Sequence, residues 1–600
     1  MTLTRFTAVV LTLLSAANAL PKSRPFDHAL RARQDAGNDA LTVDLGYGLY
    51  QGHTNASTGI NTWQGIRFAA PPTGERRWQR PGAPSINRTT ISADAYGSMC
   101  PQVGPAPGPP SSSSSSMESE DCLFLNVQSP ANASNLPVLI YIHGGGYGAG
   151  NGRQDFSDLL NTNGNNFVVV SIQYRLGPYG FLASDELNRR GVVNAGLLDQ
   201  VFALQWVQTY IRDFGGNPSA VTISGESAGG GSVMLMDMAY GGTLGDSLFQ
   251  NSIAASPYLP KQYSYKDWVP SQAYYAFASA AGCQIGGYGN STNTIFDCLM
   301  SKDTATLQAA SIAVTATVTY GTWAFLPVTD GTLVQSAPSS QLIEKRVNGR
   351  SLLVGNNANE GAAFTPQDIR DETALLAWLQ NTLLEFTPDD LAKVLLYYPI
   401  SNTSTTKFAT NGVSGPSALD TSSIATGQLQ RAFNIYGELT FVCPSYWMAE
   451  AYAGDDRSSY KYQYSPLPGL HADDLVAYFG PLGSAPYLST DFQRAMMKIW
   501  GNYVTKSDPS ISNEFANGSS NSSASANAAS SWPVFSNATP YQLNLNQTGG
   551  TLVPQTETTQ AYLTGPTLKN DFSLANAYTW EAGRGARCDF WRGVAPMVPA

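Results

Sequence analysis

Short apolar runs separated by longer helical or irregular stretches set the rhythm of this chain. Residues 137–142 form one such run, and residues 167–172 form another. Val221, Thr222 and Ile223 form a third, and residues 352–355 a fourth. Runs of this length, bounded by Gly, Asn and Pro, predict buried strands rather than helices. Residues 459–464 alternate apolar and polar, as a further strand does, and residues 42–52 alternate around Gly46 and Gly48, like an N-terminal hairpin. Between the second and third runs, a helical pattern opens near Asn194 and reaches Tyr210. Strands alternating with helices predict an α/β fold: a central, mostly parallel sheet with helices on both faces. The downstream half is less regular and predicts large loop excursions. One is the Ser/Asn/Ala-rich stretch at 507–531, expected to be solvated.

The N-terminus breaks the rhythm. Arg5 precedes an apolar run over residues 6–14, and Ala17-Asn18-Ala19 is a cleavage-type sequence. The run is too short to span a membrane and reads as a signal peptide over residues 1–19. Residues 20–33 end in Arg31-Ala32-Arg33 and read as a pro-segment removed after Arg33. Residues 34–600 then form a single domain. Six cysteines and nine N-x-S/T sequons (Asn55, Asn87, Asn132, Asn290, Asn402, Asn517, Asn521, Asn537 and Asn546) fit a secreted, extracellular glycoprotein. A formal net charge of −10 with no basic cluster argues against a nucleic-acid partner. The sequence carries no sign of oligomeric state and implies neither metal nor cofactor.

The third run delivers Gly225-Glu226-Ser227-Ala228-Gly229. Gly-x-Ser-x-Gly after a strand is the arrangement of a nucleophile elbow, a turn tight enough to lift a serine hydroxyl clear of the sheet. The pentapeptide alone is weak in a Gly-rich chain, so its partners decide. A serine nucleophile needs a base, an orienting acid and an oxyanion hole. Of four histidines, His28 lies in the pro-segment, His53 in the hairpin region, and His143 opens a glycine run whose shape it is expected to set. His471, in a loop after a strand, remains as the base. The acid should lie between serine and histidine. Glu360 follows a strand and precedes Gly361, whereas its rival Asp330, in Pro327-Val328-Thr329-Asp330-Gly331, reads better as a turn. Backbone N–H groups of Gly145, Gly146 and Ala228 are the candidate oxyanion donors.

These motifs resemble those of the type-B carboxylesterases and lipases, secreted fungal carboxylesterases among them. The resemblance covers roughly residues 42 to 592. It rests on Glu120-Asp121-Cys122-Leu123-Phe124-Leu125-Asn126, the His143 glycine run, Tyr174-Arg175-Leu176-Gly177, the stretch from Asn194 to Gln200, the elbow, and Cys588-Asp589-Phe590-Trp591. It implies an α/β-hydrolase fold and a Ser227–Glu360–His471 triad. It implies disulfides Cys100–Cys122, Cys283–Cys298 and Cys443–Cys588, and ion pairs Arg67–Glu120 and Arg175–Asp199. The activity implied is hydrolysis of small-molecule carboxylic esters through an acyl-enzyme. A triacylglycerol lipase, an acyltransferase and a non-catalytic binding or adhesion protein on the same fold compete with it. The stretch between Cys100 and Cys122 has five prolines and six consecutive serines and lacks the tryptophan that binds choline in cholinesterases. It cannot form an amphipathic lid helix, which predicts an open gorge and soluble esters of short to medium or aromatic acids.

Overall fold

The computed structural model describes residues 41–107, 117–283, 294–400, 424–519, 525–554 and 560–598. The expected signal peptide, pro-segment and His28, the serine run, and the sequons at Asn290, Asn402 and Asn521 lie outside the described residues.

In chain order the strands are β1 (Thr42–Asp44), β2 (Leu49–Gln51), β3 (His53–Asn55), β4 (Ile60–Arg67), β5 (Thr90–Ser92), β6 (Phe124–Pro130), β7 (Leu136–Ile142) and β8 (Val168–Ile172). They continue with β9 (Gly216–Glu226), β10 (Asn251–Ala255), β11 (Ser351–Asn357), β12 (Ser458–Tyr464), β13 (Tyr541–Thr548), β14 (Thr551–Val553), β15 (Tyr562–Thr564) and β16 (Lys569–Asn576). Eleven of these make one sheet, ordered β16-β13-β12-β11-β10-β9-β7-β8-β6-β4-β3. From β13 to β8 every neighbour is parallel, and antiparallel pairs are confined to the two ends. The predicted mostly parallel sheet is therefore present, with each predicted apolar run inside it.

The central strands β7, β8 and β11 are largely apolar because both sheet faces are covered there. On β7, Val138, Ile140 and Ile142 join one core cluster, while Leu139 and Tyr141 join another on the opposite face. Strand β11 divides in the same way, Leu352 and Val354 against Leu353. The predicted helix spans Ala195–Tyr210 and is buried along almost its whole length. The hairpin at the N-terminus pairs β1 with β2 antiparallel.

Two expectations need correction. The excursion at 507–531 is partly packed. Ile511, Ala516, Ala529 and Trp532 are buried against the second cluster, and the helix Asn513–Asn517 lies within it. Its few apolar residues turn inward, while its described serines stay at least partly exposed. Asn517 is also buried, its amide donating to the Ser525 carbonyl, so the folded chain does not present that sequon to solvent. Secondly, Arg67 pairs with Asp121, at 2.6 and 2.8 Å, rather than with Glu120. Adjacent residues project in different directions. Asp121 meets Arg67 at a part-exposed site, while Glu120 turns inward to Arg77 through two 2.7 Å bonds. Losing one member of that buried pair would cost about 3–5 kcal/mol. The Arg175–Asp199 pair forms as expected, at 2.8 Å and fully buried.

The three expected disulfides are present: Cys100–Cys122, Cys283–Cys298 and Cys443–Cys588. The last joins the helix Cys443–Ala451 to the C-terminal helix Trp580–Gly593.

Candidate active site

Strand β9 ends at Glu226, and the helix Ala228–Gly242 starts two residues later. Ser227 between them has φ 58° and ψ −125°, a conformation that non-glycine residues seldom adopt. What holds it there is contact on both sides. A Cβ on Gly225 would meet the Gly229 backbone at 2.3 Å, and one on Gly229 would meet the Ile142 carbonyl at 2.1 Å. Neither position can carry a side chain. The Ser227 N–H donates to Ala255, and its carbonyl accepts from Gly231 and Tyr258, so the strained residue is bonded from three directions.

The expected base and acid meet the serine here. His471 Nε2 lies 2.8 Å from Ser227 Oγ, and Nδ1 lies 2.5 Å from Glu360 Oε2. Glu360 Oε1 accepts from the Ser256 hydroxyl and the Asn357 N–H, each at 2.6 Å. A carboxylate bonded on both oxygens cannot swing away. The loops after β11 and β12 are tied together: the Asn359 N–H donates to Gly469, and the Asn357 amide to Leu470. Glycine is required at 361 because a Cβ would sit 1.9 Å from the Phe433 carbonyl.

A second carboxylate shares the histidine. Glu226 Oε1 is 3.4 Å from His471 Nε2, and it is otherwise without a hydrogen-bond partner. Burial pushes the Glu226 carboxyl well above the ordinary glutamate value, against the pull of His471. For His471, burial disfavours the charged ring, but Glu226 and Glu360 outweigh it and raise the ring above the ordinary histidine value.

The glycine run after β7 turns back over the serine. Gly145 and Gly146 have φ 109° and 62°, which glycine alone adopts without strain. The N–H groups of Gly145, Gly146 and Ala228 donate to no acceptor among the described residues. His143 shapes this run as expected. Its ring stacks on Tyr174 with centroids 4.5 Å apart, its Nδ1–H donates to Gly144 at 2.9 Å, and burial pushes it down to about 4. It is a neutral spacer. Asp330 is a turn residue, accepting from the Asn194 amide and from the Thr332 and Val334 N–H groups. His53 is exposed on β3.

Sequence reasoning passed over several residues of the site. Glu226 sits inside the elbow motif, and its position next to the serine was the available signal. Phe441, whose ring lies 4.3 Å from that of His471, had none. It stands in a wide turn, Glu438–Val442, that interrupts a helix just before Pro444, a residue without an N–H to continue the ladder. Phe364 lies beside Phe441, with centroids 5.4 Å apart, and its ring also meets His471, at 5.1 Å. The described ends of the Cys100–Cys122 loop are also not free. The Val103 N–H donates to Gly148, its carbonyl accepts from Trp323, and Ala106 exchanges bonds with Gly321 and Thr322. Among the described residues, no group of three or more His, Cys, Asp and Glu side chains could hold a metal ion, and no helix is long and apolar enough to cross a membrane.

Comparison with known proteins supplies the family. The model of the carboxylesterase family matches residues 39–562. The para-nitrobenzyl esterase of Bacillus subtilis is 35% identical over 350 residues, which are 57% of this chain and 68% of that protein. Lipase 1 of Geotrichum candidum is 31% identical over 471 residues, 71% of this chain and 81% of the lipase. The crystal structure of Aspergillus niger EstA superposes with a TM-score of 0.71 at 26% identity, covering 94% of this chain and all of EstA. The chain belongs to the carboxylesterase family, and it is a carboxylic ester hydrolase.

Proposed function

We propose that Ser227, His471 and Glu360 carry out ester hydrolysis through an acyl-enzyme, on dissolved esters of short to medium or aromatic acids, outside the cell. The observation that carries this reading is the continuous hydrogen-bonded line from Ser227 Oγ through both nitrogens of His471 to Glu360. Ser227 Oγ attacks the ester carbonyl and passes its proton to His471 Nε2. The Gly145, Gly146 and Ala228 N–H groups, which have no acceptor among the described residues, stabilise the oxyanion that forms. The intermediate collapses, and the alcohol leaves with the proton from His471. A water molecule then loses a proton to His471 and attacks the acyl carbon, releasing the acid and restoring the serine. Glu360 fixes the tautomer with Nδ1 protonated and stabilises the imidazolium. Three disulfides and the N-terminal sequence support extracellular residence.

The test is covalent labelling of full-length protein with an organophosphonate. Modification of Ser227 with loss of p-nitrophenyl acetate hydrolysis is expected. Activity that survives complete labelling of Ser227 would defeat the assignment. The likeness to a protein named lipase favours a second reading, action on triacylglycerol. Rate against concentration of a medium-chain triglyceride, taken through its solubility limit, separates the two: smooth saturation supports soluble esters, and a sharp rise at the oil interface supports a lipase.

A further inference from the structure

A cavity of about 470 Å³ adjoins the site, within the size range of small-molecule pockets. Ser227 and His471 do not line it, but several of its wall residues touch the elbow and the glycine run. Tyr258 lines it and donates its N–H to the Ser227 carbonyl. Trp323 lines it too, and a side chain at Gly146 would strike that indole at 2.2 Å. Thr440, beside Phe441, lines it as well and accepts from the Leu259 N–H. The remaining walls are largely apolar, with Trp268, Phe325 and Leu439 among them.

Lys261 is the exception. It is the one charged side chain among the described residues lining the cavity. No described carboxylate pairs with it, unlike the buried arginines at 77, 175 and 587. Lys261 itself is half-buried, and its partial desolvation pushes the ammonium down to about 8, so it keeps its proton at neutral pH at the edge of an apolar wall. The overall charge of the chain is negative, so only this local cation gives the cavity any preference for an anion.

Taking the hydrolytic reading above as its basis, we infer that the cavity receives an apolar acyl arm ending in a carboxylate, which binds Lys261. The favoured substrates are then half-esters of medium-length dicarboxylic acids. Hydrolysis adds water across the ester C–O bond, releasing the alcohol and leaving the dicarboxylate. The apolar walls hold the chain, and the lysine selects its far end, a charge-assisted contact that an uncharged chain end cannot make.

Two measurements on the full-length protein test this. In calorimetric titrations, octanoate is expected to bind about tenfold tighter than octanamide. Lys261→Met should remove that difference, and Lys261→Arg should keep it. In steady-state kinetics, the kcat/KM ratio of mono-p-nitrophenyl suberate to p-nitrophenyl octanoate should fall about tenfold in Lys261→Met. Equal affinities in the wild-type protein, or either ratio unchanged in Lys261→Met, would overturn the inference. Titration with octanoate needs no turnover. If the wild type hydrolysed neither ester, the hydrolytic reading would fall, while the titration would still judge the lysine site.

Discussion

The two corners of the candidate active site are built differently. The nucleophile corner, at the tip of β9, is held by backbone crowding: Gly225, Gly229, Gly145 and Gly146 each stand where a Cβ would collide with a neighbour. The acid–base corner, beyond β11 and β12, relies more on hydrogen bonds, through Ser256, Asn357, Asn359 and Leu470. Crowding dictates residue type and leaves a motif. A hydrogen bond can be made by many side chains and by any backbone group, so it leaves little trace in a sequence. The first corner is therefore rigid and motif-rich, while the second is assembled from dispersed residues that long loops bring together.

Four substitutions break or sharpen that contrast. Ser227→Ala should reduce kcat for p-nitrophenyl acetate on the order of 10⁴-fold or more while leaving the thermal transition in place. In the other corner, Glu360→Gln should keep the fold, because the amide can still occupy the space, and lower kcat by about 10³- to 10⁴-fold, since it no longer holds the productive tautomer. Circular dichroism alongside steady-state rates checks both. Gly146→Ala attacks the crowded corner directly. Its methyl group would push on Trp323 and turn an N–H away from the oxyanion, costing about 10²- to 10³-fold in kcat. A tolerated alanine there would show that the loop yields and that crowding is not what sets the corner.

The smallest effect is on pH dependence, and it joins the corners. His471 must be neutral to accept the serine proton, and its ring is held above the ordinary histidine value. Activity should therefore rise with pH through a midpoint above ~6.5. Glu226→Gln removes one of the three carboxylates responsible, the others being Glu360 and Asp474. The midpoint of the kcat/KM profile should then move to lower pH by about one unit. An unmoved midpoint would mean that Glu226 carries no charge while His471 titrates.

The sequence was legible where burial or crowding imposed a pattern. Strands β7, β8, β9 and β11 are apolar because both faces are covered, and they stand where the apolar runs predict. Elimination and chain order pointed to Ser227, Glu360 and His471, because so few histidines compete, and the fold brings those three side chains together. Illegible were contacts depending on which way a side chain turns. Asp121 and Glu120 are neighbours in an acidic pair, and only the fold decides which of them meets Arg67. Phe441 is one aromatic among many until the wide turn at Glu438–Val442 swings it onto His471. The excursion at 507–531 misled for a related reason: its few inward residues, Ile511, Ala516 and Ala529, are too dispersed to form an apolar stripe.

The separation of Ser227 from His471 along the chain, 244 residues, also has a meaning in time. At about 5–20 residues per second, synthesis completes the elbow roughly 12 to 50 s before it reaches the proposed base. Cys588, which locks the helix following Phe441, arrives later still. Throughout that interval the elbow serine has neither its proposed base nor its proposed acid in the finished arrangement. The order of the segments is thus a built-in delay, requiring no inhibitor, that withholds the chemistry until the polypeptide is nearly finished.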